Sequence, residues 1–188
     1  MKFLRSLAIL TCVLFFSLSV FAQSSTGATG ADSIPGYLKD PAIPSFSIQM
    51  PDSTWFRKAN LQSKKPTLIL YFSPDCGHCQ LETEEVLSKM KELNSLQIVM
   101  ITSRSFADMA NFAEHYKIRR FPAIRIGVDP ARMVTQFYDV KFTPFSALYD
   151  KSGKLVKVYE SGIDMPELIN YLNKGVPVAQ KAANKNGK

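Results

Sequence analysis

The chain has 188 residues, 46% of them apolar, which allows one globular domain with a full core and leaves little room for two. Lys and Arg number 23 against 16 Asp and Glu, a net charge of +7 with a pI near 9.3, and there are 3 cysteines. Collagenous and disordered classes, a dense disulfide scaffold and a four-thiolate zinc site are excluded, while the charge taken alone suggests nucleic acid or an anionic surface.

Residues 1–22 read as a signal peptide. Lys2 and Arg5 form a basic start, residues 7–21 are mostly apolar, and Val20-Phe21-Ala22 ends in a small residue suited to cleavage. An uncleaved anchor is the alternative, since residues 3–22 approach the ~20 needed to span a bilayer. Either way the remainder is expected to be exported, to a periplasm or cell envelope, and Cys12 belongs to the address. Residues 23–40 read as a flexible linker, rich in Ser, Thr, Gly and Ala and then extended by Pro35.

One domain is expected over 41–174. Residues 46–48 alternate like an edge strand, and 53–61 read as a short helix turning Trp55 and Phe56 inward. Residues 67–72 are apolar on both faces, as in the middle of a largely parallel sheet. A helix is predicted from 76 to 93 and a second buried strand over 97–101. Another helix over 105–116 opens on the pair Ser105 and Asp108, with a stripe of Phe106, Met109, Ala113 and Tyr116. A strand over 121–126 precedes a helix start at Asp129-Pro130. Strands over 145–149 and 155–159 flank a Gly-containing hairpin turn, and a last helix over 165–172 stops at Gly175. Residues 175–188 read as a basic, disordered tail. The order describes an α/β fold, a central mixed β-sheet with helices on both faces.

Cys76-Gly77-His78-Cys79 falls where the first buried strand turns into a helix. Side chains three apart on a helix lie about 5–6 Å from each other, within reach of a disulfide, whose Cα separation is about 4.4–6.8 Å. Cys76 is at the helix N-terminus, where unpaired N–H groups and the dipole favour a thiolate. It is therefore the expected nucleophile, with Cys79 as resolving thiol. Gly77 leaves room for an incoming disulfide, and His78, when charged, favours the reduced form and a more oxidising couple. Three plainer readings stand beside this one. The pair can be a structural staple, although so short a loop gains only about 2 kcal/mol. It can be half of a metal site with His78 and His115. His78 alone can be an ordinary solvated side chain.

On these residues the chain resembles the thioredoxin superfamily, specifically its TlpA/ResA-like extracytoplasmic thiol–disulfide oxidoreductases. The segment from Phe72 through Ser73-Pro74-Asp75 to Cys79 resembles the strand and active-site turn. Thr143-Pro144, followed by the strand and hairpin over 145–154, resembles the cis-proline motif. Residues 118–140 resemble that branch's inserted strand and helix, and 41–61 its N-terminal addition. The resemblance implies a thioredoxin-like fold, a cis peptide at Thr143-Pro144, and substrate binding through Thr143 and Pro144. A core proline at a strand start is the bland alternative for Pro144. Two departures stand out. Thioredoxin carries a buried acid six residues before its first active cysteine, where this chain has Leu70; Glu82 or Glu84 are the candidates to replace it. The Gly-His pair resembles protein disulfide isomerase.

The expected function is thiol–disulfide exchange with protein substrates, as reductant, with the Cys76–Cys79 disulfide itself as redox centre and no metal or other cofactor. A recycling thiol–disulfide partner, such as a membrane electron donor, is implied, and the chain is expected to be a monomer. Oxidase or isomerase activity is the alternative direction, and a non-catalytic, metal-handling or partner-binding thioredoxin fold the alternative of another class. Nucleic acid is not expected. Without Lys2 and Arg5 the charge is +5, of which Lys174, Lys181, Lys185 and Lys188 hold +4.

Overall fold

The computed structural model describes residues 34–175. The expected signal peptide, linker residues 23–33 and tail residues 176–188 lie outside them.

Doubly apolar segments make the centre of the sheet. β3 (Thr67–Tyr71) and β4 (Gln97–Thr102) pair in parallel from Thr67↔Gln97 to Tyr71↔Ile101. β5 (Ile124–Val128) adds in parallel from Ile98↔Ile124 to Thr102↔Val128. Parallel neighbours need crossovers; α2 (Gly77–Ser88) supplies the first and α3 (Phe106–His115) the second. β6 (Phe145–Tyr149) runs antiparallel along β3, and β7 (Leu155–Tyr159) returns along β6. In the intervening turn, Asp150 Oδ1 accepts the N–H groups of Ser152 at 2.8 Å and Lys154 at 2.9 Å.

β1 (Ser47–Gln49) and β2 (Trp55–Arg57) complete a seven-stranded sheet in the order β2-β1-β5-β4-β3-β6-β7. A Cβ on Gly127 of β5 would stand 2.6 Å from the Gln49 carbonyl oxygen, so the approach of β1 requires glycine there. The helices outside the crossovers are α1 (Gly36–Lys39), α4 (Met133–Tyr138) and α5 (Met165–Lys174).

Side chains alternate along each strand, so one apolar run serves two cores. Leu68, Leu70 and Phe72 join Ile98 and Met100 under Val86 of α2, Met109 and Phe112 of α3, and Leu168 of α5. Ile69, Val99 and Ile101 join Ile48 and Phe56 on the face covered by Val134 and Tyr138 of α4. The predicted mixed sheet with helices on both faces is the observed architecture.

Several predicted bounds change for physical reasons. The linker was expected to reach residue 40, but α1 folds onto α4, with the rings of Tyr37 and Tyr138 5.9 Å apart. Residues 53–61 are strand and a 3-10 turn rather than one helix. Asp52 Oδ1 accepts the Thr54 N–H at 3.0 Å, turning the chain so that Phe56 pairs with Ile48; Phe56 is buried and Trp55 exposed, the period of a strand. β2 is therefore the edge, and β1 lies inside it.

α2 ends at Ser88 rather than 93, and tight turns over 89–95 bring the chain back to Gln97, whose N–H meets the Pro66 carbonyl at 3.0 Å. The third parallel strand starts later than predicted because Phe121 N–H closes a turn on the Ile118 carbonyl at 2.9 Å. Asp129 and Pro130 form a turn before α4, and the Asp129 carboxylate accepts the Val134 N–H at 2.9 Å. On α3, Phe106 is exposed at 36% and Phe112 is buried at 5%, so the apolar stripe is displaced from the one the spacing suggested. α5 ends at Lys174, two residues later than predicted, and Gly175 stops it as predicted, in the left-handed region with φ 64°.

Candidate active site

β3 delivers the chain to the site. Phe72 N–H continues the ladder onto the Ile101 carbonyl at 2.9 Å, and Ser73 and Pro74 then turn it. Cys76 is extended, with φ −91° and ψ 115°, and caps α2 without using its side chain. Its sulfur is half-buried and Cys79 is fully buried; both are free thiols. Gln80 holds the turn by donating from Nε2 to the Pro74 carbonyl at 2.9 Å.

β6 delivers the other side. The Thr143-Pro144 peptide is cis, as the resemblance implied, and the Cys76 thiol donates to the Thr143 carbonyl at 3.5 Å. Cys76, Cys79, Thr143 and Pro144 thus converge on one end of the sheet from positions 67 residues apart in the chain. Gly77 is exposed, and a Cβ there would meet nothing within 4 Å. His78 is exposed on the first turn of α2.

The two sulfurs are electrically unequal. Burial by itself raises the Cys76 thiol, but hydrogen bonds from the Cys79 thiol, the Cys79 and His78 N–H groups and Thr143 outweigh it, so its pKa lies below the ordinary value. Burial pushes Cys79 up to about 12, against the Ser73 N–H, which donates to its sulfur at 3.5 Å. The outer sulfur is poised to attack as thiolate, while the inner one needs a proton acceptor.

Glu82 occupies the right place. It lies three residues after Cys79 on the buried face of α2 and is 6% exposed, whereas Glu84 faces solvent. Its Oε1 accepts the Ile163 N–H at 2.8 Å, and Oε2 is buried with no partner. Burial raises its pKa to about 7, opposed by the Ile163 N–H and assisted by the charge of Glu85. A carboxyl that titrates near neutrality one turn from a thiol can take a proton from it or return one. Leu70, at the position of thioredoxin's acid, is fully buried in the same apolar cluster as Cys79.

The Glu82 shift also sets a pH dependence of stability. A folded carboxyl raised above its unfolded value contributes stability that is whole below about pH 4.5 and is lost as pH rises through about 7. Glu82→Gln removes that loss, so the variant is expected to exceed wild type by about 2–3 kcal/mol at pH 8.5 and by little at pH 4.5. Urea unfolding at the two pH values measures this; a difference independent of pH would place the titration elsewhere.

Spacing alone did not reveal the network beside Cys76. Asp75 accepts from Ser73 and is ion-paired with Arg104 from the β4–α3 connection. Nothing in the sequence links residues 75 and 104, which only the parallel pairing of β3 with β4 brings together.

The family model described as "Thioredoxin-like domain" matches residues 56–175. Among solved structures, a secreted Mycobacterium tuberculosis disulfide oxidoreductase homologous to E. coli DsbE is 18% identical, with a TM-score of 0.57, over 68% of this chain and 94% of that one. An exposed lipoprotein thioredoxin from Streptococcus pneumoniae is 21% identical, with a TM-score of 0.55, over 69% and 98%. A thiol peroxidase from Chromobacterium violaceum is 18% identical, with a TM-score of 0.60, over 71% and 85%. No curated protein matches the chain. At these identities the structural likenesses speak to the fold.

Proposed function

The chain belongs to the thioredoxin-like domain family, and from that premise we propose that it is a thiol–disulfide oxidoreductase that reduces protein disulfides in the cell envelope. The observation that carries the reading is the inequality of the two sulfurs: a lowered, accessible Cys76 at the start of α2 and a buried Cys79 raised to about 12, with Glu82 one turn further.

Cys76 thiolate attacks one sulfur of a substrate disulfide. A Cys76–substrate bond forms, the substrate's own S–S bond breaks, and the departing substrate thiolate takes a proton from solvent. Cys79 then gives its proton to Glu82 and attacks the Cys76 sulfur. The Cys76–Cys79 bond forms as the mixed disulfide breaks, and the second substrate thiolate leaves. Two electrons pass to the substrate, so an outside dithiol, in a membrane electron donor or a second thioredoxin-like protein, must reduce the pair again. The cycle asks for no metal or nucleotide. Thr143, with its carbonyl beside Cys76 and Pro144 behind it, offers backbone for a substrate strand.

The reductant direction is proposed from the TlpA/ResA resemblance. A lowered outer thiol by itself stabilises the reduced pair and makes the couple more oxidising, and the ionisation of the pair limits that opposing effect to one sulfur. At neutral pH only Cys76 gains stability in the reduced state by becoming a thiolate; Cys79, near 12, gains none. Export rests on the charged, apolar and small-residue order of positions 1–22. Among the described residues no helix is long and apolar enough to cross a membrane.

A redox titration of the pair, with insulin reduction measured alongside, tests the proposal. A potential near thioredoxin's, about −270 mV, with insulin reduction is expected. A potential near that of DsbA, about −120 mV, makes the protein an oxidase, and wild type that reduces no disulfide overturns catalysis altogether.

A further inference from the structure

We infer that Phe142 is a docking residue that selects protein substrates carrying an apolar side chain next to the cysteine that exchanges with Cys76. The inference rests on the thiol–disulfide reading above and names the substrate class of that same site.

Phe142 is 79% exposed, more than any other large apolar side chain among the described residues. It belongs to neither core cluster, so the fold supplies no reason for a phenyl ring there. Its position does. The next residue, Thr143, holds its carbonyl 3.5 Å from the Cys76 sulfur. A mixed disulfide bond is about 2.05 Å long, which keeps the substrate sulfur within about 6 Å of that carbonyl. Consecutive Cα atoms are about 3.8 Å apart in both chains. The neighbours of the substrate cysteine therefore pass beside the neighbours of Thr143, and Phe142 is the first of these.

The chemistry of the surroundings decides what it prefers. Lys141, the adjacent cation, is already paired with Asp139 at 2.6 Å, so the loop offers little to an acidic flank. On the helix side of Cys76, Gly77 is open and Leu81, one turn further along α2, is 64% exposed. The nucleophile thus has an exposed apolar side chain in the segment on either side of it, Phe142 before the cis-proline and Leu81 on α2. Contact with an apolar substrate residue removes both partners' surface from water.

Two disulfide-linked peptides differing only in the residue beside the cysteine, Leu or Ser, test this with the full-length protein. Wild type is expected to reduce the Leu peptide with a kcat/KM about tenfold higher than the Ser peptide. In Phe142→Ala the preference is expected to fall to about twofold or less, and in Phe142→Leu to persist. Equal kcat/KM for the two peptides in wild type, or an undiminished preference in Phe142→Ala, overturns the role of Phe142 while leaving the oxidoreductase reading intact. Wild type that reduces neither peptide nor bis(2-hydroxyethyl) disulfide overturns the underlying reading instead.

Discussion

Cys76→Ser is expected to lose protein disulfide reduction by about three orders of magnitude or more, to the uncatalysed background. A serine hydroxyl is not ionised at neutral pH and cannot enter an S–S bond, so no other group in the site replaces the attacking sulfur. The partner substitution has a different signature. In Cys79→Ala the accessible thiol is intact, so attack proceeds, but nothing buried behind it resolves the mixed disulfide. The variant is expected to accumulate a covalent adduct with its substrate, visible on a non-reducing gel and released by dithiothreitol. Insulin turnover separates the roles: more than a tenth of wild-type activity in Cys76→Ser would falsify the assignment of the nucleophile. An adduct trapped by Cys76→Ser instead of by Cys79→Ala would reverse the two sulfurs. The reversal is disfavoured by burial, since Cys79 is fully enclosed and Cys76 is not.

The second large effect is on stability, and it separates two phenylalanines on one helix. Phe112 is 5% exposed, with its ring centroid 4.7 Å from Phe72 and 4.6 Å from Tyr116. Phe112→Ala opens a cavity directly beneath the strand that carries the active-site turn and is expected to cost about 3–5 kcal/mol. Phe106, 36% exposed at the first residue of α3, buries far less on folding, and Phe106→Ala is expected to cost under about 1 kcal/mol. Urea unfolding of both variants with an unchanged m-value gives the comparison. Similar costs for the two would mean that α3 is rotated about its axis from the orientation described.

That pair shows how far periodicity reaches. Spacing along α3 identifies an amphipathic helix, and its Ser105 cap is found with the Asp108 N–H donating to the serine at 3.1 Å. The stripe chosen from spacing nevertheless included Phe106 and omitted Phe112. A 3.6-residue period defines an apolar side to within a residue or so. Which large side chain points at the sheet depends on how the helix lies across β4 and β5. Residues 53–61 illustrate the same limit: Trp55-Phe56 fits a short helix by composition, and the partner strand at Ile48 decides otherwise.

The site divides in the same way. Cys76, Gly77, His78 and Cys79 are neighbours in sequence, and a doubly apolar strand followed by Ser-Pro-Asp places them at a strand-to-helix turn without any tertiary information. The pairing with Thr143-Pro144 came from resemblance, and the sheet supplies its cause, because β6 lies antiparallel against β3 with Tyr71 opposite Phe145. Glu82 and Glu84 stood as equal candidates for the missing acid at Leu70. Their separation by two residues puts them on different sides of α2, and packing of that helix over the sheet buries the first and leaves the second in solvent.

The amino-acid sequence by itself determined what short-range chemistry can determine: the cysteine pair, its place at a helix start, the order of strands and helices from residue 67 onward, and the assignment of the basic charge largely to the last fifteen residues. Only the tertiary structure decided which carboxyl is buried beside Cys79, which phenylalanine fills the core, and that Arg104 and Phe142 belong to the surroundings of a cysteine 28 and 66 residues away. The physical reason is that burial and proximity between distant segments are properties of packed elements. A carboxyl's pKa, a ring's exposure and a carbonyl's distance from a sulfur take their values only when parallel strands have set those segments side by side.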